Sequence, residues 1–311
     1  MKIACITITY NDDFKLNEWY QHYNEYKNDL FIHIIVDNNS TDEYFDTLTK
    51  KFTESHIIRR NSNGGCTGAY NDGIKYALSL SEVDSIMLLA SDIKMGEAAT
   101  TLLHQVLNSE EKLGMVSPIL LNADSLVNSD FGCGISKMLI MKPYCDGIHI
   151  NDIKEDINYC EAVTGGANLA KREFYEQVGI QDNKLFMYSD EVDMGIRAKK
   201  LGFKMASVKS ARSWHQHINA PSSPTDRRES FTKYLAGRNK VYVAKKHYGL
   251  FRSVIVFLFM ISGAVFKALK HVVMGEFSII KDYIWMSKGA CMGLLGKMQE
   301  NKYSLPMKKD K

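Results

Sequence analysis

The first 118 residues alternate short apolar runs with stretches of helical periodicity, and this alternation constrains the fold more than any other feature. The apolar runs, rich in β-branched side chains, lie at residues 3–9, 31–36, 56–58 and 85–90. Apolar residues recur at helical spacing between them, over residues 16–26, 43–52 and 69–80. Strands that alternate with helices are typical of a parallel sheet covered by helices. We therefore predict an α/β fold with a mixed, mostly parallel sheet and helices on both of its faces.

The remainder of the chain predicts a domain boundary near residue 225. Residues 120–158 are irregular, whereas residues 163–201 again show a strand-like run and helical spacing. A loop rich in Pro and Ser follows His215, and the chain is then almost entirely helical to residue 298. The predicted organisation is a large domain with halves at 1–118 and 119–225, a helical region at 226–300 and a flexible tail at 301–311.

Charge and cysteine content exclude several classes of protein. The net charge of +3 is too small to indicate a nucleic-acid partner. The six cysteines form no CxxC pair and have no zinc-finger spacing to histidine, so we expect free thiols in a reducing compartment. The N-terminal sequence MKIACITITYN lacks the long apolar core and the cleavage site of a signal peptide. These features predict a cytoplasmic protein that does not bind nucleic acid.

One apolar segment, residues 253–266, lies within the helical region and has Arg252 before it and Lys267 after it. It is shorter than the roughly 20 residues that a membrane-spanning helix needs. Two interpretations are therefore open: a buried core helix, or a helix that lies in the membrane interface.

An acidic turn follows the second predicted strand, where Asp37 precedes two asparagines and Ser40. Ligands of open parallel sheets bind beyond the carboxyl ends of the strands, so Asp37 can accept hydrogen bonds from a base or a ribose. Taken alone, these residues are better interpreted as turn formers. Ser40 and Glu43 also match a capping box for the helix that follows.

A glycine-rich turn, Asn63-Gly64-Gly65, precedes the third predicted helix. Such a turn lets the backbone approach a phosphate at a helix N-terminus. The segment is neither a dinucleotide fingerprint nor a P-loop, and it is weak evidence by itself.

Asp92 follows the fourth apolar run directly. A carboxylate at the end of a buried strand must be solvated or paired, so we expect Asp92 to face a cleft. One carboxylate alone would bind a metal weakly, because hard divalent cations prefer several oxygen ligands.

Three acids, Asp190, Glu191 and Asp193, stand at the start of a predicted helix. They can simply complement the helix dipole, with Ser189 as the cap. That interpretation does not explain the aromatic residues before them or the downstream imidazole of His215, which can bind a metal or a phosphate. A carboxylate in a partly apolar cleft suits a general base for a hydroxyl group.

The order and spacing of these motifs resemble the family-2 inverting glycosyltransferases with the GT-A fold. The resemblance is strongest to the branch that contains bacterial rhamnosyltransferases and galactofuranosyltransferases, and it covers residues 3–239. The motifs that carry it are ITITYN, VDNNSTD, NGGCTGAYNDGI, LLASDI, TGGANLAKREFYEQVG, LFMYSDEVDMGIRAKKLGF, the WH pair and GRN. It implies a Rossmann-like nucleotide-diphospho-sugar transferase fold, with the helical region as a C-terminal extension.

The resemblance also implies roles for individual residues. Glu191 is expected to be the catalytic base, with Asp190 in reserve and Asp193 positioning the acceptor. Asp92 and His215 are expected to hold Mg²⁺ or Mn²⁺. The residues expected to bind the nucleotide-sugar are Thr9, Tyr10, Asp37, Asn63, Gly64, Asn71, Ser91, Asp92 and Arg238. Arg197 and Arg238 either stabilise phosphate or pack structurally.

The sequence departs from the family at the metal motif, because Ala90 replaces the first acid of DxD. We therefore expect a weakly bound or dispensable metal. The implied function is inverting transfer from dTDP-rhamnose or a UDP-sugar to a glycan or lipid-linked glycan in bacterial surface polysaccharide synthesis. With such an acceptor, the interfacial interpretation of residues 253–270 is favoured, peripheral on the inner face of the membrane. The alternatives are a non-catalytic nucleotide-sugar binding protein and a sugar nucleotidyltransferase.

Overall fold

A computed structural model describes residues 1–216 and 225–298, with no side-chain detail for 225–229. The predicted tail at 301–311 and the Pro/Ser loop lie outside the described residues. The chain divides into two compact units. The sheet unit contains Met1–Ser136, Met141–Asn183 and Glu191–Pro221, and the helical unit contains Lys137–Ile140, Lys184–Asp190 and the chain from Ser222 onward.

The described residues form twelve strands and eight α-helices. The strands are β1 (Ile3–Thr9), β2 (Ile32–Asp37), β3 (His56–Arg59), β4 (Ser85–Leu89), β5 (Ile93–Met95), β6 (Leu113–Asn122), β7 (Asn128–Asp130), β8 (Cys133–Ile135), β9 (Met141–Pro143), β10 (Ile157–Cys160), β11 (Ala167–Lys171) and β12 (Lys204–His215). The helices are α1 (Leu16–Tyr26), α2 (Asp42–Lys51), α3 (Gly65–Ser79), α4 (Ala99–Leu107), α5 (Arg172–Val178), α6 (Asp190–Lys200), α7 (Thr225–Val273) and α8 (Ile280–Leu295).

The main sheet has the strand order β10-β12-β6-β11-β4-β1-β2-β3. Strands β3, β2, β1 and β4 run parallel, as do β6 and β12. Strand β11 is antiparallel to both β4 and β6, and it joins the two parallel groups. The carboxyl ends of β1, β2, β4, β6 and β12 therefore share one edge of the sheet, which we call the carboxyl edge. The predicted α/β class is confirmed.

Alternate residues of β1 enter two apolar clusters on opposite faces of the sheet. Ile3 and Cys5 pack with side chains of α1, α2 and α4, whereas Ala4 and Ile6 pack with side chains of α3, α5 and α6. This alternation follows from the period of two along a strand. Because both faces are buried, β1 reads as a continuous apolar run.

A buried histidine in β2 makes the stability of the sheet unit depend on pH. His33 contacts the hydroxyls of Ser55 and Thr7 at 2.8 and 3.2 Å and stacks on Tyr23. Burial lowers the pKa of His33 from 6.5 to about 3. Below pH 6.5 the unfolded chain therefore binds a proton that the folded chain excludes, and stability falls as the pH drops towards 3.

We expect His33→Gln to flatten this acid dependence. Gln does not titrate, so the loss of unfolding free energy between pH 6 and pH 4 should be smaller by about 2–3 kcal/mol than in the wild type. Urea unfolding at pH 6, 5 and 4 measures both slopes. Equal slopes in the two proteins would contradict the assignment, whatever the absolute stability of the variant.

In the helical unit, α7 and α8 pack with their backbones in close contact. A Cβ atom on Gly237, Gly289 or Gly293 would overlap the facing main chain, so glycine is required at each position. Helix α7 is interrupted at Gly249, which has a φ of 81°. Such a conformation is readily adopted only by glycine.

Candidate functional site

The carboxyl edge of the sheet brings together Asp92 and His215, which are far apart in sequence. Strand β5 follows Asp92 directly and pairs with the end of β12, so that Ile93 lies opposite His215. The Nε2 atom of His215 is 3.7 Å from Oδ2 of Asp92. The ammonium group of Lys15, at the start of α1, is also 3.7 Å from that oxygen. Burial alone raises the pKa of Asp92, but His215 and Lys15 outweigh it and lower this pKa to about 2.

Glu191 lies at the N-terminus of α6 beside the loop that precedes β11. Its side chain is half-buried, and its Oε1 atom occupies the space that a Cβ on Gly165 would need. The next residue, Gly166, accepts a 2.7 Å hydrogen bond from the N–H of Ala90. Ala90 is in turn two residues before Asp92. A side-chain contact at Gly165 and a hydrogen bond at Gly166 therefore link Glu191 to the segment that contains Asp92. The predicted base and the predicted metal ligand thus lie on the same edge of the sheet unit.

The side chains at this edge fit a divalent cation only in part. Asp92 and His215 offer one carboxylate and one imidazole, and Ala90 offers neither. Across residues 1–216 and 225–298, no group of three His, Cys, Asp or Glu side chains is arranged to hold a metal. Mg²⁺ and Mn²⁺ prefer more oxygen ligands than this. A cation here would need further oxygens from a bound ligand or from water.

The glycine-rich turn is organised by Asn38, which the sequence analysis did not single out as a site residue. Its Nδ2 donates to Oδ1 of Asn63 and to the carbonyl of Gly65, while its Oδ1 accepts from Arg60 and from the N–H of Gly64. The Arg60 guanidinium fills the space beside Gly64, so a larger residue there would collide with it. Asn63 and Gly64 are thus held in the turn between β3 and α3, at the carboxyl edge.

Thr9 and Asp37, which the resemblance assigns to nucleoside binding, have partners within the protein. The hydroxyl of Thr9 is buried and bonded to Asp12 and Tyr44. Asp37 is fully buried, and its carboxylate accepts from the N–H of Ser40 and faces Arg59 at 3.5 Å. Both residues lie at the correct edge, but their side chains shape its turns. Of the other residues predicted there, Tyr10 is half-buried and Ser91 is buried.

Two further predicted site residues are structural within the sheet unit. The amide of Asn71 exchanges hydrogen bonds with the main chain of Gln181 at 2.8 and 2.9 Å, and it also donates to Oδ1 of Asn183. Asp193 is fully buried and bonds to Arg197, which also donates to the carbonyls of Val178 and Ile180. The Asp193–Arg197 pair thus links α6 to the segment that follows α5.

In the helical unit, a strained turn leads into α6. Phe186, Tyr188 and Ser189 have φ values of 66°, 69° and 64°, which are unfavourable for residues other than glycine. Asn239 donates from its buried amide to the carbonyls of three residues of this segment, at 2.8–2.9 Å: Leu185, Met187 and Tyr188. We call residues 185–189 together with Asn239 the clamped turn. It continues into Asp190, which is buried, and then into Glu191.

Arg238, which the sequence predicts either to bind the donor or to pack structurally, also belongs to this arrangement. The guanidinium is fully buried and donates to the carbonyls of Lys184 and Leu185 at 3.1 and 3.0 Å. Its Nε bonds to Oδ1 of Asn239. Arg238 and Asn239 are both fully buried, and buried polar residues need partners, which the carbonyls of residues 184–188 supply.

Comparison with known proteins gives one family match and distant relatives. The family model for Glycosyl transferase family 2 matches residues 5–92. The chain is 22% identical over 210 residues to the low-salt glycan biosynthesis hexosyltransferase Agl10 of Haloferax volcanii, covering 67% of this chain and 65% of that protein. It is 22% identical over 241 residues to the N-acetylglucosaminyl-diphospho-decaprenol L-rhamnosyltransferase of Mycobacterium tuberculosis, covering 71% and 76%. The chain thus spans slightly less than two thirds of the length of Agl10.

Two solved structures share the fold of this chain. GalNAc-T7, determined with UDP, GalNAc and Mn²⁺, superposes with a TM-score of 0.60 at 13% identity, over 98% of this chain and 58% of that one. The mannosyltransferase PcManGT from Pyrobaculum calidifontis, in complex with GDP-Man and Mn²⁺, gives a TM-score of 0.55 at 11% identity, over 95% and 88%. At such identities the likeness concerns the fold alone, and it confirms the predicted fold.

Proposed function

We propose that the chain is a member of glycosyltransferase family 2, in its rhamnosyltransferase-like branch with the GT-A fold, and that it transfers a sugar to a hydroxyl of a glycan or lipid-linked glycan. The donor is a nucleotide-diphosphate sugar, either dTDP-rhamnose or a UDP-sugar, and the product is a surface polysaccharide. The observation that carries this proposal is the convergence of Asp92, His215 and Glu191 on the carboxyl edge. We place the reaction in the cytoplasm.

In the proposed mechanism, Glu191 removes the proton of the acceptor hydroxyl while that oxygen attacks the anomeric carbon. The nucleoside diphosphate leaves from the opposite face, so the anomeric configuration inverts. Asp92 and His215 would hold Mg²⁺ or Mn²⁺ jointly with oxygens of the donor, and such a cation would neutralise charge on the leaving group. Gly165 leaves room for the Glu191 carboxylate beside the loop of β11.

A non-catalytic nucleotide-sugar binding protein is the second candidate, and Ala90 in place of an acid is the observation in its favour. The presence of Asp190, Glu191 and His215 opposes it. Release of nucleoside diphosphate from a panel of UDP-, dTDP- and GDP-sugars, with and without Mn²⁺, separates the two. Catalytic release from one donor supports the transferase. Binding of a donor without release, even when acceptor glycans are added, favours the binding protein.

We further propose that the helical unit contacts the membrane surface peripherally. One described helical stretch, Ser230–Val273, is long and apolar enough to cross a bilayer by length and composition alone, and 22% of its most apolar window is buried. Phe251 and Phe266 are 81% and 72% exposed, so these side chains do not form a core. Lys267 and Lys270 adjoin the apolar side chains and suit anionic headgroups.

Replacing Phe251 and Phe266 together with Glu should release the full-length protein from vesicles. Inserting a phenylalanine is worth roughly 1.5–3 kcal/mol, so the partition coefficient should fall by about 100-fold or more. Flotation with vesicles that contain anionic lipid measures it. The matched control is Leu201→Glu, an exposed leucine of the sheet unit, which should float as the wild type does. Unchanged flotation of the double variant would contradict membrane contact.

A further inference from the structure

Lys15 is a cation at the carboxyl edge for which neither the motifs nor the proposed mechanism provides a role. Its ammonium group lies between two carboxylates, 3.4 Å from Asp12 and 3.7 Å from Asp92. The lysine side chain is only 12% exposed, and lysines are rarely buried to this degree unless they have charged partners such as these. The position of this charge is therefore fixed by the structure.

The distances leave Lys15 able to bind a further anion. Charge-assisted N–H···O bonds are normally about 2.7–2.9 Å long, and both carboxylates lie beyond that range. An ammonium group has three donors, which can turn towards an incoming oxygen. Asp92 remains 23% exposed and His215 31% exposed, so solvent reaches the cluster.

The position of Lys15 complements the substitution at Ala90. A carboxylate at residue 90 could bind a metal ion together with Asp92, but the methyl group of alanine cannot. Lys15 places one positive charge beside Asp92 without a metal. We propose that Lys15 binds the diphosphate of the donor directly. Its ammonium group would supply part of the positive charge that a cation supplies at a site with both acids of DxD. This inference rests on the proposed function and deepens it.

The test measures binding by titration calorimetry, not turnover, using UDP, dTDP and GDP as probes in EDTA and in Mn²⁺. The wild type should bind at least one probe in EDTA. Lys15→Met should weaken that metal-free binding by about 10- to 100-fold, the value of a hydrogen bond to a charged group. Lys15→Arg keeps the charge and should retain most of the affinity. Lys50→Met, at an exposed lysine of α2, is the matched control and should bind as the wild type does.

A double variant distinguishes diphosphate binding from simple neutralisation of Asp12 and Asp92. Ala90→Asp combined with Lys15→Met should bind the probe poorly in EDTA and regain affinity in Mn²⁺, because it exchanges a fixed cation for a metal ligand. Thermal melting identifies variants that fail to fold, and Lys15→Arg then carries the comparison.

Two results overturn the inference: a Lys15→Met protein that binds in EDTA as tightly as the wild type, or a wild type that binds only in Mn²⁺. Neither result contradicts the proposed function, which requires that a donor binds but not that Lys15 binds it. Failure of all probes to bind in both conditions would instead remove the proposed function.

Discussion

Glu191→Gln is expected to lower the turnover of sugar transfer by about 10²–10⁴-fold, the usual contribution of a general base. Glutamine has nearly the same shape as glutamate and would still fit beside Gly165, but it cannot take the proton of the acceptor hydroxyl. Donor affinity should change little, since the base acts on the acceptor. Steady-state kinetics with a donor identified from the panel, together with calorimetry of donor binding, measure both quantities.

The matched control for this experiment is Glu173→Gln, at an exposed glutamate of α5 in the same unit, which should leave turnover unchanged. Near-normal turnover of Glu191→Gln would show that Glu191 is not the base. Asp190, the preceding residue, would then be tested by Asp190→Asn.

Asn239→Asp should destabilise the protein by about 2–4 kcal/mol and lower turnover at least tenfold. The substitution keeps the size of the side chain but removes the donor that bonds to Leu185, Met187 and Tyr188. Leu185 keeps the bond from Arg238, but the carbonyls of Met187 and Tyr188 lose their donor. Each carbonyl left without a donor costs roughly 1–3 kcal/mol, and the new carboxylate would repel them. Loosening the clamped turn should disturb the start of α6, where Glu191 stands. Urea unfolding and kinetics measure the two effects.

The control for Asn239 is Asn24→Asp, at an exposed asparagine of α1 that bonds to the carbonyl of Tyr20. It should change stability by no more than about 0.5 kcal/mol, as is usual at the surface. A stable Asn239→Asp protein with wild-type turnover would show that the strained φ values need no clamp. The affinity for donor should be similar in all three proteins, since the clamped turn acts on the acceptor side of the mechanism.

The first half of the fold could be predicted because its strands are buried on both faces. Strands such as β2 and β4 are continuous apolar runs, and the observed bounds differ from the predicted ones by a residue or so. Strand β12 has no such signal, since Lys209, Ser210 and Arg212 interrupt it at an irregularity in the pairing with β6. The sequence predicts Ser40 as the N-cap of α2. In the structure the cap is Thr41, whose side chain accepts a hydrogen bond from the main-chain N–H of Tyr44.

The site was predictable at the level of the sheet edge but not at the level of the side chain. Asp92 and His215 meet because the ends of parallel strands meet, which motif order alone can suggest. Whether a polar residue is open to a ligand depends on tertiary packing. Asp193 and Arg238 match their motifs, yet both are fully buried and bonded to protein. Lys15 had no sequence signal, because its role depends on a carboxylate 77 positions away (from 15 to 92).

The ladder between β5 and β12 makes the spacing of Asp92 and His215 a property of strand register. Three pairs, from Ser213↔Met95 to His215↔Ile93, hold the imidazole opposite the residue that follows Asp92. Removing a single residue between Val208 and Arg212 would shift β12 by one step and turn the imidazole to the opposite face of the sheet. Because Ser213 and Trp214 would turn with it, a length change in that irregular stretch should disturb the packing beside β6 and also abolish the pairing of Asp92 with His215.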